Sequence, residues 1–121
     1  YGEWTKKSGV AHLGAGSNEV TRLLWDDAFF SGIMKSKDAD VYLFRRQTQD
    51  AYPDFRVAGA DLANARVITD ANPQQSEFSW SAGSVLVDYV SDKGKKLQGA
   101  LFLPSDYEEG KKYPTVVSTP T

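Results

Sequence analysis

The sequence predicts a mainly β protein, in which an antiparallel meander is followed by a second part with a different strand pattern. Two observations predict this fold class. Short runs rich in β-branched and aromatic residues recur along the chain, and turns rich in Gly, Pro, Asn and Asp separate them. Because these connections are too short to hold crossover helices, neighbouring strands are expected to run antiparallel. Meanders of this kind form sandwiches, barrels and propeller blades.

The first strands follow a stretch with little pattern. Residues 1–19 are dominated by turn-forming sequences and predict no clear strand. Residues 20–25 then predict a strand, which two consecutive aspartates end. Residues 29–34 predict either a short strand or a single helical turn, and Gly32 favours the strand.

The clearest strand of the first half is predicted at residues 41–48, which are rich in aromatic and β-branched side chains. Two further strands follow, at 55–59, where apolar and polar residues alternate, and at 66–69. Turns at 50–54 and 61–64 separate the three. We therefore predict that the three strands are neighbours in one antiparallel sheet.

The pattern changes near Gly83, where we place a domain boundary after a polar connector. Residues 84–91 and 97–103 predict the two strands of a hairpin, with Gly94 in the loop because glycine readily takes a positive φ. After a charged loop, residues 113–117 predict another strand. Its centre is uniformly apolar, as the interior strands of a sheet often are.

Composition and charge exclude several classes of function. The chain has 14 Lys and Arg residues and 16 Asp and Glu residues, and neither half of it is basic. We therefore expect no nucleic-acid partner and no anionic membrane surface. No apolar run approaches the roughly 20 residues of a membrane-spanning helix. Cysteine is absent, which removes disulfides, thiol nucleophiles and Cys-ligated zinc but leaves the compartment open.

Few residues offer catalytic or cofactor chemistry. His12 is the only histidine, so a Ser-His-Asp triad within the chain would have to use it, and a structural or surface role is favoured. The run Gly14-Ala15-Gly16 lacks the third glycine of a dinucleotide-binding fingerprint, because position 19 is Glu. The sequence therefore predicts no catalytic residue and no cofactor site.

Two other groups invite a functional interpretation, and the structural one is favoured for each. Closely spaced carboxylates can act as a glycosidase pair or bind calcium, but the spacing here does not match an EF-hand, so solvated turns and no metal site are predicted. These carboxylates are Asp26, Asp27, Asp38 and Asp40. Three tryptophans could form a platform for sugar or peptide, although aromatic residues in small β proteins usually form the core and cross-strand pairs. They are Trp4, Trp25 and Trp80.

An ordered series of residues in the second part matches the pattern of a known family. The series is Val87, Tyr89, Ser91, Gly94, Leu97, Gly99, Leu101, Pro104 and Tyr107, followed by Gly110-Lys111-Lys112-Tyr113-Pro114 and Val116-Val117. It resembles the prolyl oligopeptidase family of serine peptidases, where the chain leaves an N-terminal β-propeller and enters a C-terminal α/β-hydrolase domain. The family pattern is D-G-x-x-L-x-G-x-L followed by K-Y-P-x-V-V. The run Asp92-Lys93-Gly94 departs from it by one residue, which a longer hairpin loop absorbs.

Stretches before the hairpin resemble the last propeller blades of the same family. They are 40–44, 52–55 and 68–74. The resemblance implies that residues 1–82 are the C-terminal part of a β-propeller, present as partial blades. It implies that residues 84–121 are the incomplete beginning of an α/β-hydrolase domain, with its leading β-hairpin and first interior strand.

The resemblance implies that this chain lacks the catalytic residues of the family. The family's nucleophile lies in a G-x-S-x-G elbow, which is missing here, and its Asp and His follow later in the chain. All three are expected beyond Thr121, so we expect a non-catalytic segment of a longer peptidase. This segment would supply scaffold and gating surface. Its partners would be the remainder of the hydrolase domain and, for the parent enzyme, a peptide substrate.

A second hypothesis stays open. The meander and the aromatic residues also permit a self-contained, non-catalytic β-sandwich that binds carbohydrate or peptide. A complete sandwich should close its sheet before the chain ends, whereas residues 116–117 resemble part of a central strand without neighbours. That feature favours the peptidase segment.

Overall fold

The chain forms antiparallel β sheets with almost no helix, as the sequence predicts. A computed structural model describes residues 1–119, so the last two residues of the predicted hydrolase segment lie outside the described part. The chain divides into two compact units, Tyr1–Phe78 and Ser79–Thr121. The change of pattern noted at Gly83 lies shortly after this division.

A two-stranded sheet opens the first unit. Strand β1 (Ser8–Leu13) pairs antiparallel with β2 (Val20–Asp26), with an irregularity between Val10 and Ala11. The expectation of no clear strand before residue 20 is therefore wrong. The sequence SGVAHL has no strong alternation of its own, and pairing with β2 supplies the hydrogen bonds that hold it extended.

A four-stranded meander follows in the same unit and confirms the predicted antiparallel neighbours. Its strands pair in chain order: β3 (Phe29–Lys35), β4 (Val41–Gln47), β5 (Phe55–Gly59) and β6 (Arg66–Val67). Of the two alternatives for β3, the strand is correct. Gly32 has a φ of 61° where the pairing of β3 with β4 is irregular, a conformation that glycine adopts without steric cost.

The last strand of this sheet is shorter than the predicted 66–69. The backbone N–H of Ile68 still donates to the carbonyl of Phe55 at 2.9 Å. One residue later, the Thr69 hydroxyl rather than its backbone accepts the N–H of Phe55, at 2.9 Å. A side chain thus replaces the next backbone bond, and the strand ends. The polar connector after it begins with a short 3₁₀ helix at Pro73–Glu77, which the sequence analysis did not predict.

A small hydrophobic core lies between the two sheets of the first unit. Phe44 in β4 is 1% exposed, Ala58 in β5 is 8% exposed, and Leu62 in the β5–β6 turn is 2% exposed. Side chains of the two-stranded sheet, Val10, Leu23 and Leu24, pack against this cluster. Leu62 has a φ of 56°, so its burial compensates for a left-handed backbone conformation that leucine rarely adopts.

The second unit contains a single β-hairpin. Strand β7 (Ser84–Val90) pairs with β8 (Lys96–Phe102) along its full length, which confirms the predicted hairpin. Gly94 in its loop has a φ of 75°, as expected. The strand predicted at residues 113–117 is wrong: no strand forms there in the described chain. An extended segment needs a neighbour for its backbone hydrogen bonds, and none pairs with this one among residues 1–119.

Candidate functional site

The residues considered for catalysis and cofactor binding lie on exposed surface. His12 is in β1, exposed, and opposite Thr21 across the two-stranded sheet. Gly14 and Gly16 form the turn between β1 and β2, where the N–H of Ser17 donates to the Gly14 carbonyl at 3.0 Å. This turn satisfies its own backbone and follows a strand without opening a helix, unlike a phosphate-binding loop.

The tryptophans do not form the core. Trp4 is 55% exposed and Trp80 is 45% exposed. Trp25 in β2 is half-buried, and the guanidinium carbon of Arg22 lies 4.5 Å from its ring centroid. The expectation of a core position is therefore wrong for Trp4 and Trp80, whereas Trp25 packs across the β1–β2 pair against Gly9. Phe44 takes that position, with the Phe30 ring centroid 6.3 Å away.

The carboxylates separate into ion pairs and turns. Asp40 pairs with Lys35 at 3.1 Å across the β3–β4 turn, where both side chains are exposed. Asp26 pairs instead with Arg46 of β4 and so joins the two sheets of the first unit. Within residues 1–119, no three His, Cys, Asp or Glu side chains are grouped as a metal ion would require.

The Asp26–Arg46 pair is the most directional charge contact of the first unit. Both Nε and a terminal nitrogen of Arg46 donate to Oδ2 of Asp26, the former at 3.1 Å. These bonds from Arg46, together with the N–H of Asp27, lower the pKa of the Asp26 carboxyl. The charged form of Asp26 is therefore favoured in the folded chain.

We expect Asp26→Asn to lower the free energy of unfolding at neutral pH by about 0.5–1 kcal/mol, since the pair is partly exposed. Because the folded pKa is depressed, the contribution of Asp26 is fully present above the unfolded value of about 3.9 and is lost as pH falls through the folded pKa. Urea unfolding across this pH range measures the difference.

Asp27→Asn is the matched control for this experiment. Asp27 is exposed, and it takes part in none of the ion pairs formed by the described residues. Its substitution should change stability by less than the Asp26 variant at neutral pH. Equal effects of the two variants, or a difference that persists at low pH, would contradict the role given to Arg46.

A second polar network, which the sequence analysis missed, fixes the end of the meander. Oδ1 of Asp54 accepts bonds from the Thr69 hydroxyl at 2.6 Å and from the N–H of Ala71 at 3.0 Å. The Thr69 hydroxyl in turn accepts the N–H of Phe55. These contacts, the Thr69 bond first, lower the pKa of Asp54. The sequence around Asp54 and Thr69 gives no local signal for a contact between residues this far apart.

The same corner is closed by the 3₁₀ helix. The N–H of Tyr52 donates to Oε1 of Gln75 at 3.1 Å, and Nε2 of Gln75 donates to the carbonyl of Asp50. Two separate stretches of the chain, 50–55 and 68–75, are thereby joined through side chains. Their role in this structure is to position the backbone.

The hairpin of the second unit carries an exposed apolar face. Opposite residues in its register share a face, and one face holds only apolar side chains and a glycine. We call these side chains the apolar hairpin face: Val85, Val87, Tyr89, Leu97 and Leu101. Four of them are between 41% and 51% exposed, and Leu97 is half-buried. Such a face is typical of a sheet that packs against further structure.

The loop after the hairpin is ordered by one side chain. The hydroxyl of Tyr113 donates to the carbonyl of Asp106 at 2.9 Å and accepts the N–H of Glu108 at 2.9 Å. Its ring lies 5.8 Å from that of Tyr107, measured between centroids. Beyond this anchor, Val116 is 95% exposed and Val117 is 83% exposed. The apolar run is therefore positioned at its start and uncovered at its end.

Comparisons with known proteins found no relative of this chain. No family model, no curated protein and no solved structure matches the chain. Within the described residues, no helix has the length and apolar character to cross a bilayer.

Proposed function

We propose that this chain is a non-catalytic segment of a serine peptidase of the prolyl oligopeptidase family. Residues 1–82 would form the end of its β-propeller, and residues 84–121 would open its α/β-hydrolase domain. In this role the chain is a scaffold and a gating surface. The parent enzyme would hydrolyse peptide bonds through a Ser-Asp-His triad that lies beyond Thr121.

The observation that carries the proposal is the apolar hairpin face. A two-stranded hairpin is at best marginally stable in water, and it needs further strands or a helix to cover an apolar side. Here every residue of β7 is exposed. A leading hairpin of a larger sheet has this character, because its apolar face is covered by helices from elsewhere in the domain.

The thin core of the first unit supports the same proposal. Only three hydrophobic side chains of the described residues are buried. An independent domain of that size usually buries a larger core, since burial is the main source of its stability. Partial blades of a propeller would instead gain burial from the neighbouring blades.

The resemblance gains weight from where its residues lie. Stretches 52–55 and 68–74, compared above with the last propeller blades, are joined by the contacts of Asp54 with Thr69 and Ala71. Tyr113, the second residue of the K-Y-P-x-V-V stretch, anchors its loop. The apolar run after it would become a strand once strands of the remaining domain lie beside it.

The test begins with the coding sequence beyond Thr121. We expect a G-x-S-x-G elbow within about 150 residues, the length of one domain, followed by Asp and His in that order. The protein encoded by the whole reading frame should be labelled by a serine-directed fluorophosphonate. Replacement of the elbow serine by alanine should remove the label.

The chain of residues 1–121 is the control, and we expect no labelling of it. Covalent labelling of this chain alone would contradict its non-catalytic role. A stop codon directly after Thr121 would contradict the peptidase segment as a whole. The self-contained binding module would then be the better proposal, and cooperative melting of a monomer would support it.

A further inference from the structure

A cavity within the first unit has the composition of a small-ligand site. It has a volume of about 350 Å³ and lies between β2 and the four-stranded sheet. Most of its wall is apolar, formed by residues that include Leu23, Leu24, Phe30 and Phe44. Known small-molecule sites are concave and mostly apolar, with volumes of roughly 300–1,000 Å³ and a few convergent polar groups.

The side chains that line this cavity carry more positive than negative charge. Two arginines line it, Arg46 from β4 and Arg56 from β5, against a single carboxylate, Asp26. Both nitrogens of Arg46 that form hydrogen bonds donate to that carboxylate. Arg56 is thus the cation of the cavity that forms no hydrogen bond with Asp26.

The surroundings of Arg56 support this assignment. It takes part in none of the ion pairs formed by the described residues, and its Nε is buried without a hydrogen-bond partner there. The Asp54 carboxylate interacts with the charge of Arg56 without a hydrogen bond between them, and its Oδ1 accepts bonds from Thr69 and Ala71. A buried donor without a partner is costly in a folded protein. Because Nε itself is covered, a ligand in the cavity would bind the terminal nitrogens of the same guanidinium.

The strand register explains why this arginine faces inward. Arg56 is directly opposite Phe44, the most buried side chain of the core, and opposite residues share a face of the sheet. Arg46 follows two residues after Phe44 and lies on the same face. The guanidinium groups are therefore held by rigid strands, beside a core rather than in bulk water.

We propose that this cavity binds a small monocarboxylate with a short apolar body. The carboxylate would accept hydrogen bonds from Arg56, whose planar fork matches its two oxygens. Because Arg56 is a single guanidinium outside the ion pairs of residues 1–119 and the Asp54 carboxylate lies near it, one negative charge fits better than the two of a phosphate. The apolar walls would cover the rest of the molecule. This inference is independent of the peptidase proposal.

The experiment titrates hexanoate into the chain of residues 1–121, followed by NMR shifts of backbone amides around the cavity. Hexanamide, of the same length but uncharged, and inorganic phosphate are titrated in parallel. We expect saturable binding of hexanoate, at least about tenfold weaker binding of hexanamide, which corresponds to about 1.4 kcal/mol, and no comparable binding of phosphate. No saturation by hexanoate, or equal binding of either comparison compound, would overturn the proposal.

Three variants locate the binding. Arg56→Met keeps most of the side-chain volume and should weaken hexanoate binding at least about tenfold, whereas Arg66→Met, on exposed β6 outside the cavity, should leave it unchanged. Asp26→Asn should strengthen binding, because it removes the competing carboxylate.

Stability measurements separate ligand binding from a structural role. If Arg56 is held for a ligand, Arg56→Met should leave the Tm of the free chain unchanged or raise it, since an unsatisfied buried donor is removed. Equal effects of Arg56→Met and Arg66→Met on hexanoate binding would overturn the proposal. So would weaker binding by Asp26→Asn in a chain that remains folded.

Discussion

Phe44→Ala is expected to lower the free energy of unfolding of the first unit by about 3–5 kcal/mol. Phe44 is 1% exposed and is the largest fully buried side chain of the described residues. It contacts both the meander and the two-stranded sheet through the core cluster, so its loss leaves a cavity that few neighbours can fill. Urea unfolding, followed by tryptophan fluorescence, to which half-buried Trp25 contributes, measures the change.

Phe29→Ala provides the matched control, because it is the same substitution on the neighbouring strand at a side chain that is 62% exposed. Its effect should stay within about 0.5 kcal/mol, as for most surface substitutions. If the two variants lost similar stability, the cluster around Phe44 would not be the main source of stability in this unit.

Gly9→Ala is expected to have the second largest effect, a loss of about 3 kcal/mol. Gly9 lies opposite Trp25 in the β1–β2 pair. A methyl group there would collide with the carbonyl of Leu24 and lie 2.9 Å from Cε3 of the Trp25 ring. Since the colliding atom belongs to the backbone, relief requires separation of the strands. Thermal unfolding measures the change in stability.

Gly59→Ala tests whether this loss comes from the collision rather than from the loss of a glycine. A methyl group at Gly59 would meet only Oδ1 of Asp61, at an ordinary 3.7 Å. We expect a neutral or slightly favourable effect, because alanine restricts the unfolded chain more than glycine does. A Gly9 variant as stable as the Gly59 variant would show that β1 can move away from β2 at little cost.

The parts of the fold that sequence could predict are those whose pattern is local. Strand β5 was predicted with its observed bounds, because apolar and polar residues alternate along it. Strand β1 was not, since it is extended only through pairing with β2. The error at residues 113–117 has the reverse cause: strong strand-forming residues there lack a neighbouring strand in the described chain.

The candidate sites also differ in how far the sequence could predict them. The hairpin itself was predicted from the sequence, and its register then brings Val85, Val87 and Tyr89 onto one face. The cavity could not be predicted, because an arginine in a strand ordinarily indicates a solvent-facing position. Only the packing of the two-stranded sheet over Phe44 places Arg56 beside a core.

The order of the strands has a consequence for folding kinetics. Within each sheet, every strand pairs only with strands adjacent to it in the chain, through connections of five to seven residues. Closing such short loops costs little chain entropy, and proteins rich in local contacts fold quickly for their size. Each hairpin can therefore form as soon as its own residues leave the ribosome, before any later segment is synthesised.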